Sequence, residues 1–152
     1  MEHIGKILVP IDGSAASLEA HRLALDLAPC FGAELVLLYV VDSSALDEIC
    51  RLSGRERPRL LHEMQESGMK LLMSLSQEAL ERGVAATVDI HTGMPDEVIM
   101  AEADRLQAGL IVMGKIGRKG HRRSLLGSVT ERVLEASEVP VLVVSPPGAR
   151  LH

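Results

Sequence analysis

Five short apolar runs divide this sequence, and their alternation with longer segments constrains the fold more than any other feature. Most are apolar at consecutive positions, which is typical of parallel strands covered on both faces. The segments between them carry apolar residues at helical spacing. The sequence therefore predicts an α/β fold, a doubly wound five-stranded parallel sheet with helices on both faces and right-handed crossovers. The predicted strands are residues 6–11, 34–41, 85–91, 109–113 and 139–145.

Helices are predicted in four of the segments between the strands. The first follows Asp12 or Ser14, either of which is a suitable N-cap, and ends near Pro29 and Gly32. The last begins with Ser128, which has the form of a capping box with Glu131 three residues later. The other two cover residues 58–83 and 95–107.

Two features of the middle of the chain have less regular patterns. Residues 42–57 show no clear period, so we expect a mobile loop there with one helical turn around residues 46–52. Met64, Met69 and Met73 follow at helical spacing, and filling of the core is the better explanation for them than a ligand pocket.

A glycine-rich stretch links the fourth strand to the last helix. Its four glycines permit close approach of a ligand to the backbone, and the helix that follows begins with unpaired N–H groups at the positive end of its dipole. Five basic residues add local positive charge to a chain of net charge −5. These properties favour a phosphate group as ligand. The glycines are Gly114, Gly117, Gly120 and Gly127, and the basic residues are Lys115, Arg118, Lys119, Arg122 and Arg123.

The spacing of these glycines excludes two familiar phosphate loops. A P-loop needs a Gly-Lys pair before its Ser or Thr, and Leu126-Gly127-Ser128 has none. The dinucleotide pattern Gly-x-Gly-x-x-Gly is absent after the first strand. If the strand order is 3-2-1-4-5, one of the commonest for five strands, Asp12 and Gly114 face one crevice where the order reverses.

Composition narrows the function further. The 152 residues, 47% of them hydrophobic, are about one domain long and can form a sizeable core, so a single domain over residues 1–152 is expected. Apolar runs long enough to span a membrane and a secretion signal are not found, which favours a cytoplasmic protein. The six histidines have no helical metal-ligand spacing, so no metal site of side chains is predicted. With only Tyr39 and Phe31 to stack on bases, nucleic-acid binding is not expected.

Three stretches of the sequence have a recognisable pattern. They are Leu-Val-Pro-Ile-Asp-Gly-Ser at residues 8–14, Gly-Met-Pro at 93–95 with Ile99, and Gly-x2-Gly-x9-Gly-Ser at 114–128 running into Val-Thr-Glu-Arg-Val. Together these stretches resemble the universal stress protein family, in its single-domain, ATP-binding subgroup. The resemblance implies binding of ATP, with Mg²⁺ held through the phosphates. It departs from the family pattern at Gly109, where an aspartate is common. The binding residues implied are Pro10, Ile11, Asp12, Val40, Val41, Met113, Gly114, Gly117, Arg118, Gly127, Ser128 and Val129.

Several interpretations remain open at this stage. Asp12 and Ser128 could each serve only as a helix cap and not bind a ligand. Residues 118–123 could be a solvated basic run, or they could recognise an acidic protein. No general base is evident near the loop, so no catalytic residue is assigned and a nucleotide sensor is favoured over a slow ATPase or a nucleotide-independent scaffold. AMP and cyclic nucleotides remain alternative ligands. Residues 139–144, from Val139 to Val144, are predicted to form an apolar strand at the edge of the sheet. Because an exposed apolar edge promotes aggregation, we predict a homodimer in which two copies cover this strand.

Overall fold

The computed structural model describes residues 3–116 and 126–148. Within them one sheet has five parallel strands in the order β3-β2-β1-β4-β5, which confirms the predicted fold and strand order. The strands are β1 (Lys6–Pro10), β2 (Glu34–Asp42), β3 (Ala86–Gly93), β4 (Leu110–Gly114) and β5 (Val141–Val144). The helices are α1 (Ala15–Phe31), α2 (Ser43–Ser53), α3 (Arg57–Glu81), α4 (Pro95–Arg105) and α5 (Ser128–Ala136).

Each face of the sheet packs against its own group of helices. Successive residues of β1 illustrate this, because Ile7 and Val9 belong to the core beneath α1, α2 and α3, whereas Leu8 belongs to the core beneath α4 and α5. Burial on both faces explains why the central strands are apolar at nearly every position. In the part of the chain that the structure describes, no helix combines the length and the apolar character needed to cross a bilayer.

Two glycines allow close packing at this core. A Cβ atom at Gly68 of α3 would lie 2.5 Å from the ring of Tyr39, so the glycine lets the helix rest directly on that ring. A Cβ atom at Gly109 would lie 2.9 Å from the Cα of Ile4. This lack of space explains why a larger residue is not found at Gly109, the position where the sequence departs from the family pattern.

The prediction of a mobile loop at residues 42–57 is wrong, because most of these residues form α2. The carboxylate of Asp42 caps this helix, with Oδ1 accepting from the N–H groups of Ser44 at 3.0 Å and Ala45 at 3.3 Å. Gly54 ends it with a φ of 72°. Leu46 is the only buried residue of α2, and the serines and charged residues on either side of it give this stretch the composition of a loop.

The predicted ends of the other helices and strands agree with the structure in some places and differ from it in others. The end of α1 is as predicted, because the helix continues past Pro29 to Phe31 and Gly32 is its C-cap, with a φ of 64°. Strand β3 extends two residues beyond the predicted end at His91, to Gly93, whereas β5 covers only Val141–Val144 of the predicted 139–145. The prediction that the methionines fill the core is wrong for Met69 and Met73, which are exposed.

Candidate functional site

The carboxyl ends of β1, β2 and β4 border one crevice in the middle of the sheet. All but two of the predicted binding residues line it, and the other two, Gly117 and Arg118, lie outside the described residues. The basic residues at 118–123 lie outside them as well. The residues that line the crevice as expected are Pro10, Ile11, Asp12, Val40, Val41, Met113, Gly114, Gly127, Ser128 and Val129.

The end of β1 is fixed by a turn that leads into α1. Asp12 Oδ1 accepts a hydrogen bond from the Ser14 N–H at 2.9 Å, and the Asp12 N–H donates to Ser17 Oγ at 3.4 Å. Gly13 between them has a φ of 84°, which favours glycine. Ser14 is the N-cap of α1, because its Oγ accepts from the Ser17 N–H at 3.1 Å. Asp12 therefore stabilises the turn beside the crevice, and Ser14 is the residue that caps the helix.

Gly114 lies where β4, α1 and α5 meet. A Cβ atom there would be 2.8 Å from the Cβ of Ala16 and 2.9 Å from the backbone N of Ser17. Its carbonyl oxygen accepts a hydrogen bond from Thr130 Oγ1 at 2.9 Å. The absent side chain thus brings α1 against the end of β4, and Thr130 ties the start of α5 to the same point.

Two backbone hydrogen bonds hold the base of the glycine-rich segment. The Lys115 N–H donates to Val144 O at 2.7 Å, and the Gly127 N–H donates to Lys115 O at 2.9 Å. These bonds hold the start of α5 beside the end of β4. The two ends of the segment are therefore fixed next to each other at the crevice.

The amino end of α5 opens on the crevice without a side-chain cap. The N-cap is Gly127, and among the described residues no side chain makes a capping hydrogen bond to this helix. The predicted capping box at Ser128 is therefore wrong, because Ser128 is the first helical residue and lies one position past the cap. An uncapped helix start leaves N–H groups and the positive end of the dipole available to an anion.

Sequence reasoning left several lining residues unassigned. Met64 packs against the core and also borders the crevice, so the core explanation holds for it only in part. Pro95 and Ile99 belong to a stretch that carried the family resemblance, which was the available signal for them. Ala45 belongs to α2 and was missed together with that helix.

Ionisable side chains are few among the described residues that line the crevice: Asp12, Tyr39 and Asp42. The carboxylates of Asp12 and Asp42 each accept hydrogen bonds from backbone N–H groups at the start of a helix. Both carboxylates thus stabilise the local backbone at the start of a helix. This arrangement suits the binding of a polar ligand better than proton transfer to it.

Comparisons with known proteins show that the chain is similar to members of one family. The model of the universal stress protein family matches residues 3–145. A universal stress protein from Methanocaldococcus jannaschii is 40% identical over 143 residues, covering 93% of this chain and 82% of the relative. One from Bacillus subtilis is 35% identical over 144 residues, covering 91% and 97%. The structure of universal stress protein UspA from Lactobacillus plantarum is 27% identical with a TM-score of 0.82, covering 95% of this chain and 99% of its own.

Two solved structures with the same fold are nucleotide complexes. One is a universal stress protein in complex with cAMP, with a TM-score of 0.65, 24% identity and coverage of 95% of this chain and 99% of its own. The other is the universal stress protein from Archaeoglobus fulgidus in complex with dAMP, with a TM-score of 0.66, 19% identity and coverage of 94% and 99%.

Proposed function

The chain belongs to the universal stress protein family, and from that premise we propose that its crevice binds ATP as the signal of a nucleotide-dependent regulatory protein. The observation that carries the proposal is the meeting of the uncapped amino end of α5 with the ends of β1, β2 and β4. The adenine nucleotides in the two complexes described above support the same class of ligand. The single domain and the cytoplasmic location expected from the sequence stay predictions.

The phosphates would bind at the start of α5. Gly127, Ser128 and Val129 border the crevice there, and the helix dipole favours negative charge at that point. Gly117 and Arg118 stay predicted contacts. Mg²⁺ would be held chiefly through the phosphate oxygens, as this ion usually keeps several waters and few protein ligands.

The adenine would bind along the free edge of β2. Pairing between β1 and β2 ends at Pro10 and Leu38, with a last bond from the Ile11 N–H to Leu38 O at 2.7 Å. Residues two apart along a strand direct their backbone groups to the same side, so those of Val40 point toward the crevice beyond the end of β1. One N–H and one C=O there match the acceptor and donor on the edge of adenine.

We propose a sensor rather than a fast ATPase. Phosphoryl transfer needs a base or positioned water together with metal and cationic groups. The two carboxylates of the crevice that the structure describes are both engaged by backbone N–H groups. Phosphate release from Mg-ATP well below ~1 per second is therefore expected, and turnover at that rate or above would contradict a sensor role.

Calorimetry with Mg-ATP tests the site directly. The variant Gly127→Val should lose binding, because its side chain would occupy the position where the backbone meets the phosphates. Gly127 has φ −69° and ψ 155°, a conformation that valine adopts readily, so the variant should fold. A folded Gly127→Val protein with unchanged ATP affinity would exclude this role for the start of α5. Loss of binding with an unchanged circular dichroism spectrum would support this role, whereas a wild-type protein that binds no ATP would favour the nucleotide-independent scaffold.

A homodimer through β5 is a further part of the proposal. Strand β5 is an edge of the sheet, and Leu142 is 36% exposed on it. An apolar edge left uncovered would promote aggregation, and pairing of two copies would cover both edges.

A further inference from the structure

Asp89, His91 and Glu102 bring three metal-ligating atoms together away from the crevice. One ligand atom from each lies within 4.8 Å of the other two. His91 Nε2 is 3.0 Å from Asp89 Oδ2 and contacts Glu102 Oε1 closely. We propose that these three side chains bind a divalent transition-metal ion, with zinc the best match.

The fold assembles this group from two elements. Asp89 and His91 are two residues apart on the edge strand β3, so their side chains share one face of the sheet. Glu102 comes from α4, which packs over that face. Ligands fixed on a strand and a helix are held more firmly than ligands on a loop, which favours a defined coordination geometry.

Glu102 gives the cluster an unusual buried charge. Its side chain is only 6% exposed, and a buried carboxylate requires a compensating cation. Arg105 supplies part of it, since its Nε donates to Glu102 Oε2 at 2.7 Å. Glu102 Oε1 is directed instead at His91 Nε2. The two carboxylates of the cluster therefore face one guanidinium and one imidazole. With the imidazole neutral, as a metal ligand must be, the two carboxylates outnumber the one guanidinium, and this excess of negative charge favours a bound cation.

The same contact with Arg105 would serve a metal site. A ligating carboxylate is normally held by a further hydrogen bond that fixes its orientation, and Arg105 makes such a bond to the Glu102 oxygen that does not face His91. The second contact of Arg105, between Nη2 and Asp89 Oδ2, is 3.5 Å long and therefore weak. Arg105 thus leaves the ligand atoms of His91 and Glu102 accessible to an ion.

The donor set selects the type of metal. One imidazole nitrogen and two carboxylate oxygens suit zinc, whereas magnesium and calcium prefer oxygen ligands alone. Tetrahedral zinc bonds of ~2.0–2.2 Å place neighbouring ligand atoms roughly 3.3 Å apart, so the three atoms need only small side-chain movements. The side chains of Asp89 and His91 are 31% and 38% exposed, which allows an ion to enter and leaves a fourth position to water.

Zinc binding should be measured by calorimetry on the purified protein without nucleotide, because phosphates bind zinc themselves. The expected result is one saturable zinc site per chain in the wild type. His91→Ala and Asp89→Asn should each weaken it at least tenfold, since loss of even an outer contact to a ligand costs 10- to 100-fold. Both residues are partly exposed, so both variants should fold.

His62 provides the matched control. Its Nε2 lies 3.1 Å from Glu66 Oε1 on α3, and the part of the chain that the structure describes offers no third ligand to this histidine–carboxylate pair. His62→Ala should keep the affinity of the wild type. Absence of saturable zinc binding, or binding that survives both His91→Ala and Asp89→Asn, would overturn the proposal and leave a cluster of ion pairs only. Since no nucleotide is used, either result is independent of the ATP proposal.

Discussion

Replacement of Gly114 by alanine tests how closely α1 and β4 must approach to form the crevice. The new Cβ would lie 2.8 Å from Ala16 Cβ, 2.9 Å from Ala16 C and 2.9 Å from Ser17 N. Two of these are backbone atoms and the third is a short side chain on a helix, so none can move aside by a change of rotamer. We expect α1 and the end of β4 to separate by several tenths of an ångström.

The magnitude follows from two opposing effects. Overpacking of a core site costs about 1–3 kcal/mol. Alanine also restricts the unfolded chain more than glycine does, which stabilises by about 0.4–1 kcal/mol. The net loss of unfolding free energy should be about 1–2 kcal/mol, or roughly 2–8 °C in melting temperature for a chain of this length.

Urea unfolding followed by circular dichroism measures the effect, with Gly5→Ala as the matched control. A Cβ at Gly5 would meet only His3 Cδ2, at an ordinary 3.6 Å, so this variant should match or slightly exceed the stability of the wild type. Gly114→Ala should also bind ATP more weakly, because Gly114 borders the crevice. A midpoint for Gly114→Ala equal to that of Gly5→Ala would refute the close packing on which this reasoning rests.

Two further predictions concern a buried histidine and the edge strand. Burial lowers the pKa of His21 below 6.5, against the raising effect of Glu78 and together with the lowering effects of Arg22 and Arg82. Neither ring nitrogen has a hydrogen-bond partner among the described residues. The unfolded chain therefore binds this proton more readily, and the stability that neutral His21 allows is lost as pH falls below about 6.5. In urea unfolding, His21→Leu should have a higher free energy of unfolding than the wild type, and the difference should be larger near pH 5 than near pH 7. An equal difference at both pH values would contradict this prediction. So would an equally pH-dependent gain in stability for His62→Leu. For the proposed dimer, Leu142→Lys should shift the mass measured by light scattering toward the monomer, whereas Leu80→Lys, at an exposed leucine of α3, should not; a wild-type monomer at micromolar concentration would remove β5 from the interface.

Most of the sheet could be predicted from the sequence because its strands are buried on both faces. Such strands give continuous apolar runs, and Asp12-Gly13-Ser14 marks the end of β1 by turn chemistry alone. The ends of strands were predicted less accurately where they depend on pairing with a neighbouring strand. Pro140 lies outside β5, yet its carbonyl oxygen accepts a hydrogen bond from the Ile111 N–H at 2.9 Å. The ladder therefore begins at the carbonyl group of Pro140, which has no N–H to donate, and residue-by-residue pairing starts at Val141.

The cluster that we propose binds metal could not be predicted from the sequence for a different reason. Sequence spacing predicts ligand sets that lie on one helix or in one loop, and Asp89, His91 and Glu102 do not satisfy such a pattern. Asp89 and His91 alternate along a strand in a way that also suits an ordinary half-exposed edge. Only the packing of α4 over β3 brings Glu102 to them. The prediction of no side-chain metal site thus depended on the spacing of residues along the sequence. The fold can bring ligands together from segments whose spacing shows no such pattern.

The depth of the crevice depends on an element that the sequence did not reveal clearly. β1 ends at Pro10 opposite Leu38, but β2 continues beside β3 until Asp42 pairs with Gly93. Among the described residues, this difference in length leaves one side of residues 39–42 without a neighbouring strand. Asp42 ends β2 because its carboxylate caps α2, which also brings Ala45 to the crevice. A shorter β2 would remove the free backbone groups of Val40, and with them the proposed place for the base. The capping residue of α2 therefore helps to set the size of ligand that the crevice can hold.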